Sequence, residues 1–250
     1  MTMRIDLNAD VGEGFTETDA ALIPLLTSAN IACGGHAGDM NTMSASVALC
    51  RVHGVAVGAH PSYPDKEGFG RREMTMDVRE LRAALIAQID AIATVAAAAG
   101  TRLRHVKPHG ALYNRAAADP YLAKVVAEAV RDVDPSLLLV GLAGSCLPAA
   151  GRAAGLRVLG EGFADRRYTA QGFLLPRSER GAVLDHPDEV REQVISLVLD
   201  GSVVSSCGNT VALDVDTLCL HGDGPHAIAF ARLVRESLLG AGVTFGAIEP

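Results

Sequence analysis

The chain has 250 residues, more than a typical domain of roughly 100–200 but ordinary for a single α/β barrel of about 250. A formal charge of −7 with no Lys/Arg block excludes a protein that holds nucleic acid through a basic face. Hydrophobic residues make up 49%, aromatics only 4% and Trp is absent, so Ala, Val and Leu must fill a large core.

Met1-Thr2-Met3-Arg4-Ile5-Asp6 carries charges where a secretory leader needs an apolar run. The Ala-rich stretch 91–99 is shorter than the ~20 apolar residues that cross a bilayer. Cys33, Cys50, Cys146, Cys207 and Cys219 are odd in number and contain no Cys-x-x-Cys pair, which fits a reducing compartment. The expectation is a cytoplasmic protein with no membrane and no nucleic-acid partner.

In chain order, short apolar runs at 4–8, 29–33, 55–60, 104–107, 137–141, 157–161 and 217–221 predict strands. Helical spacing predicts helices at 17–26, 40–53, 78–99, 121–130, 146–154, 187–199 and 226–238. Asp77 with Glu80 has capping-box spacing, Asp185 or His186 can cap the helix opening at Pro187, and Gly100 and Gly155 close theirs. Residues 61–72 and 163–183 are long polar loops with Gly and Pro, and such loops are usually functional. Residues 202–204 and 210–213 flank a turn and read as a hairpin. Nothing resembles a linker, so one domain spans 1–250. The strand–helix alternation predicts a parallel sheet covered by helices. A doubly wound sheet competes, but the first turn, Asp10-Val11-Gly12-Glu13-Gly14, places acids where a phosphate cradle wants none. A barrel of about seven parallel strands is preferred.

Nearly every predicted strand ends in ionisable or amide side chains: Asp6, Asn8, Asp10 and Glu13; His36 and Asp39; His60; Lys107 and His109; Glu161, Asp165 and Arg166; His221 and Asp223. In a parallel barrel these ends open on one face, where active sites sit. Asp6, Asn8 and Asp10 alternate onto one side of their strand, so a buried carboxylate there must be paired, protonated or metal-bound. Pairing of Asp6 with Lys107 is the structural expectation. Asp10, His36 and His60 make a His/His/carboxylate set that could hold a divalent metal. Lys107, stiffened by Pro108, could stabilise an oxyanion, and the turn at His221 and Asp223 could bind a carboxylate or phosphate. His53, His105, His186 and His226 read as surface or capping residues.

Six stretches carry a resemblance: Asn8-Ala9-Asp10-Val11-Gly12-Glu13, Cys33-Gly34-Gly35-His36-Ala37-Gly38-Asp39, Gly58-Ala59-His60-Pro61-Ser62-Tyr63-Pro64-Asp65, Val106-Lys107-Pro108-His109-Gly110-Ala111-Leu112-Tyr113-Asn114, Phe163-Ala164-Asp165-Arg166-Arg167-Tyr168 and Cys219-Leu220-His221-Gly222-Asp223. In this order they closely resemble the LamB/YcsF family over nearly the whole chain. Gly162 and Arg167 depart from its usual residues. The resemblance implies a distorted TIM-like barrel related to the glycoside hydrolase/deacetylase superfamily. It implies 5-oxoprolinase activity, the ATP-dependent opening of 5-oxo-L-proline to L-glutamate, shared with partner subunits B and C. A homo-oligomer is also compatible. The chain has no Gly-x-x-x-x-Gly-Lys-[Ser/Thr] loop, so an ATP site would be atypical or completed by a partner.

With that chemistry, Asp10 or Glu13 is expected as general base, Lys107 as anion-binding cation and His109 as proton donor to the leaving nitrogen. Asn8, Asp39, Asn114, Glu161, Asp165, Arg166, His221 and Asp223 are expected to bind substrate. Two other functions fit the residues: a stand-alone metal-dependent amide hydrolase or deacetylase, and a non-catalytic carrier subunit.

Overall fold

Alternation of buried strands and amphipathic helices produces the following order in the computed structural model, which describes residues 3–221 and 226–248. β1 (Arg4–Val11), α1 (Thr16–Leu22) and β2 (Ser28–Ala32) lead to α2 (Met40–His53), β3 (Ala56–His60) and α3 (Val78–Ala98). Then come β4 (Leu103–Val106), α4 (Gly110–Ala118), α5 (Pro120–Val133), β5 (Leu138–Leu142), α6 (Cys146–Ala153) and β6 (Val158–Phe163). α7 (Pro187–Ile195), the hairpin β7 (Ser202–Val204) and β8 (Thr210–Ala212), β9 (Thr217–Leu220), α8 (Ala227–Gly240) and β10 (Thr244–Phe245) complete the chain.

β1-β2-β3-β4-β5-β6-β9 pair in parallel, and β9 returns to β1 with Asp6 opposite Thr217, so seven strands close the barrel as expected. β2 and β5 are buried along their whole length, as strands with helices outside and neighbours inside must be. β10 lies outside the ring on β1, and Ile248 packs on Leu138, Val140 and Leu159, which stops the barrel floor.

α3 has 21 residues and a mean hydropathy of 1.5, long and apolar enough by length and composition to cross a bilayer. It packs instead as a barrel helix. Leu81, Leu85, Ile89, Ile92 and Ala96 recur at helical spacing and are buried, and Gln88 exchanges hydrogen bonds with the Ser62 backbone. Pro24 ends the first predicted helix early, in a 3₁₀ turn at Ile23–Leu25. α4 has no counterpart among the predicted helices, because its first residue is Gly110 at φ +57°, a residue that usually signals a turn.

Candidate active site

Strand alternation turns Asp6, Asn8 and Asp10 into the barrel, where they form a hydrogen-bonded column. At its foot Asp6 accepts from the hydroxyls of Thr27, Ser28 and Thr217 at 2.6, 2.7 and 2.5 Å. Burial pushes its carboxyl above the usual range despite these bonds. The expected Asp6–Lys107 pair does not form. Lys107 follows the C-terminal end of β4, level with Asp10, and a strand rises about 3.3 Å per residue, so Asp6 is several residues below its reach. In the middle of the column Asn8 donates to Glu161 and Thr217, while Asn30 donates to Asn8 and Asp10. His105, read from sequence as peripheral, is buried inside the barrel against Asn30 at 2.9 Å. Burial, with Lys107 adding to it, pushes its imidazole down to about 3.

At the top, Lys107 Nζ lies 3.1 Å from Asp10, 2.9 Å from Glu161 and 3.0 Å from Cys219 Sγ. Burial would discharge the amine, but these groups outweigh it and hold its pKa well above the ordinary value. Lys107 is therefore a fixed cation rather than a base. Tyr113, which sequence reasoning passed over although it lies in the Lys107 stretch, donates to Glu161 at 2.6 Å. Burial and Glu161 push its phenol up, so it stays a donor. Asp10 is held well below the usual carboxylate range: burial opposes ionisation, but His60 and Lys107 prevail.

Three imidazoles gather beside this cation. His36 and His109 stack at 3.7 Å between centroids, and His60 meets both edge-on. His60 Nδ1 faces the Lys107 carbonyl at 2.8 Å and His109 Nε2 faces the Phe69 carbonyl at 2.9 Å. Carbonyls only accept, so both nitrogens carry the protons. The inward His60 Nε2 and His109 Nδ1 then lie 3.0 Å apart. Glu13 approaches His36 Nε2 at 2.9 Å and His109 Nδ1 at 3.4 Å, and buried His36 Nδ1 has no hydrogen-bond partner among the described residues. Burial, reinforced by His60, pushes His36 down to about 3 and His109 well below its ordinary value. Converging ring nitrogens and a carboxylate are a donor set suited to a divalent cation such as zinc. One ligand atom each of Glu13, His36, His60 and His109 lies within 4.8 Å of the others. Of the expected metal set, His36 and His60 fall in this group, while Asp10 stands beside it, 3.3 Å from His60.

These groups open into a cavity of about 440 Å³, within the usual range of small-molecule sites. Asp10, Glu13, His60, Lys107 and His109 form one end; Arg71, Asn114, Arg166, Arg177 and His221 also line it, with Phe163, Leu174 and Leu175 as apolar wall. Asn8 and Glu161 lie beneath it, holding Lys107. Asp165 grips His221 Nδ1 at 2.9 Å. Burial opposes the Asp165 charge, but His221 lowers its pKa overall. Asp39 sits outside, spending its carboxylate on the N-cap of α2 with Asn41 and Thr42. Asp223 lies outside the described residues. Arg71, Arg177 and Tyr113 escaped sequence reasoning because they sit within loops and a helix rather than at strand ends.

Comparison with known proteins finds relatives over nearly the whole chain. The LamB/YcsF family model matches residues 5–250. The 5-oxoprolinase A subunit of Methylococcus capsulatus is 51% identical over 99% of this chain and 97% of its own length. The crystal structure of a lactam utilization protein from Thermus thermophilus is 44% identical, with a TM-score of 0.92 over 98% of this chain and 100% of that one. The catalytic domain of a peptidoglycan N-acetylglucosamine deacetylase from Eubacterium rectale shares the fold at 12% identity, with a TM-score of 0.52 over 98% and 88% of the two chains.

Proposed function

This chain belongs to the LamB/YcsF family, and from that premise we propose that it opens 5-oxo-L-proline to L-glutamate as the A subunit of an ATP-dependent 5-oxoprolinase completed by subunits B and C. The observation that carries the reading is Lys107, a buried cation fixed between Asp10 and Glu161 at the floor of a ligand-sized cavity, in a chain half identical to a 5-oxoprolinase A subunit over its full length. A five-membered lactam is a stable amide, so its opening gains from coupling to ATP. Phosphorylation of the lactam oxygen, with the nucleotide site supplied by a partner, would leave water to attack the activated carbon. Asp10 or Glu13 takes the proton from that water. Lys107 stabilises the negative charge of the phosphorylated tetrahedral centre. His36 and His60 orient the water, His109 relays that proton through its inward Nδ1 to the departing ring nitrogen, and the γ-glutamyl phosphate left by C–N cleavage is split by a second water into glutamate and inorganic phosphate. Five unpaired thiols suit a cytoplasmic setting.

The test is glutamate release from 5-oxoproline with and without ATP and the two partner subunits. Release only when all are present is the expected result; ATP-independent release by this chain alone would overturn the coupled scheme. The histidine cluster favours a second reading, a metal-dependent amide hydrolase acting without partners. An ion held by Glu13, His36, His60 and His109 would supply Lewis acidity and a more acidic bound water. Stoichiometric metal with chelator-sensitive, partner-free hydrolysis would select that reading, and a metal-free active complex would reject it.

A further inference from the structure

The segment between β6 and α7 is a strap with a defined course. Arg167 donates its backbone N–H to Ala182, Leu175 to Arg167 and Leu184 to Asp165, and Gln193 of α7 ties down the carbonyls of Phe163, Ala164 and Arg166. Its stretch from Leu174 to Ser178 forms one wall of the cavity, and Arg166 and Arg177 both line that cavity from the strap. Arg166 is buried and bonds the carbonyls of Leu175 and Ala182. Burial, reinforced by the charge of Arg177, pushes its guanidinium down to about 10. Asp165 offsets part of this repulsion, and an anion at the same wall would offset more of it.

The cavity is therefore polarised. One end carries Asp10 and Glu13, which repel an anion, with Lys107 already shared between two carboxylates. The strap end carries Arg166 and Arg177, with Arg71 on the lining as well. Glu73 is also on the lining and lies 3.8 Å from Arg115. The molecule as a whole is at −7 and offers an anion no general attraction, so a local cationic end is what would orient one. Guanidinium forks match the geometry of carboxylate and phosphoryl oxygens.

We propose that Arg166 and Arg177 form an oxyanion subsite on the strap, which holds an anionic group of the substrate while its reacting amide faces Asp10 and Lys107. Resting on the 5-oxoprolinase reading, the anion is the ring carboxylate or the phosphoryl group added during activation. A neutral lactam lacks the first of these, so the subsite would also set specificity for acids over simple lactams.

Arg177 is the residue to vary, since it is exposed while Arg166 supports the strap itself. The full chain and its Arg177→Ala and Arg177→Lys variants are titrated with 5-oxoproline, 2-pyrrolidinone and inorganic phosphate by calorimetry, with thermal unfolding as a check on folding. Arg177→Ala should weaken 5-oxoproline about tenfold or more, the loss of a charged hydrogen bond, with partial recovery in Arg177→Lys and no change for 2-pyrrolidinone. That pattern identifies the carboxylate as the anion. Weakened phosphate with unchanged 5-oxoproline identifies the phosphoryl group and also supports the subsite. Unchanged binding of both anions to a folded Arg177→Ala chain overturns it. Glutamate release by the wild-type complex is measured in parallel: its absence would reject the enzymatic reading, while anion binding still decides the subsite.

Discussion

Lys107 has two jobs, and its removal should show both. Replacement by Ala leaves Asp10 and Glu161 buried without their cation, and breaking a buried pair costs about 3–5 kcal/mol. Lys107→Ala is therefore expected to lose glutamate formation and to lower the denaturant midpoint together; wild-type stability would show that the carboxylates do not depend on it. His105 makes a different prediction. Its folded-state pKa of about 3 lies below the ~6.5 of an unfolded histidine, so between those values the unfolded chain binds the extra proton. Stability should fall as pH drops through that window, by at most about 1.4 kcal/mol per pH unit from this residue. His36 and His109 add slopes of the same sign. His105→Gln should flatten the dependence of thermal unfolding on pH between about 4 and 6.5; an unaltered slope would rule the assignment out.

At the scale of elements, the 61–72 loop and the start of α4 assemble the imidazole cluster. Gly70 has φ +64°, its carbonyl accepts from Ala111, and an added Cβ would stand 2.8 Å from His36 Cβ and 2.9 Å from His109 Cδ2. Gly70→Ala should separate the stacked rings, with a backbone cost of about 1–2 kcal/mol. Turnover is expected to drop steeply while circular dichroism stays native, and full turnover would show that the stack is dispensable. This also marks where the sequence was readable. Strand ends such as Asp10, His60 and Lys107 announced themselves because an ionisable group that closes an apolar run is costly to bury unless it meets a partner or a ligand. The stacking of His109 on His36 did not, because it depends on a loop folding back across α4. The peripheral reading of His105 failed for a related reason. Gly58 on the adjacent β3 leaves room for its ring, a Cβ there falling 1.9 Å from Nε2, and such a complement between strands is invisible along one chain segment.

At the scale of the molecule, seven parallel strands followed from the alternation of elements and their closure from the acids of the first turn and the family resemblance, but the floor did not. β10 has only two residues, too short for a periodic signal, yet it docks the segment that stops the barrel. Ile248→Asp would set a carboxylate against Leu138, Val140 and Leu159. It is expected to destabilise by about 1–3 kcal/mol with catalysis intact below the melting transition, read by calorimetry. An unchanged transition would mean that the floor is open. The polar column above that stopper has an implication for how this barrel can vary. Asp6, Thr217, Asn8, Asn30, Asp10, Lys107 and Glu161 share hydrogen bonds in an unbroken series, so no member has an independent effect. Coupling between neighbours of this kind runs to about 0.5–3 kcal/mol. The interior therefore behaves as one unit of inheritance. A lineage that alters it must change several positions together, and sequences that differ at one of these residues should differ at its neighbours too.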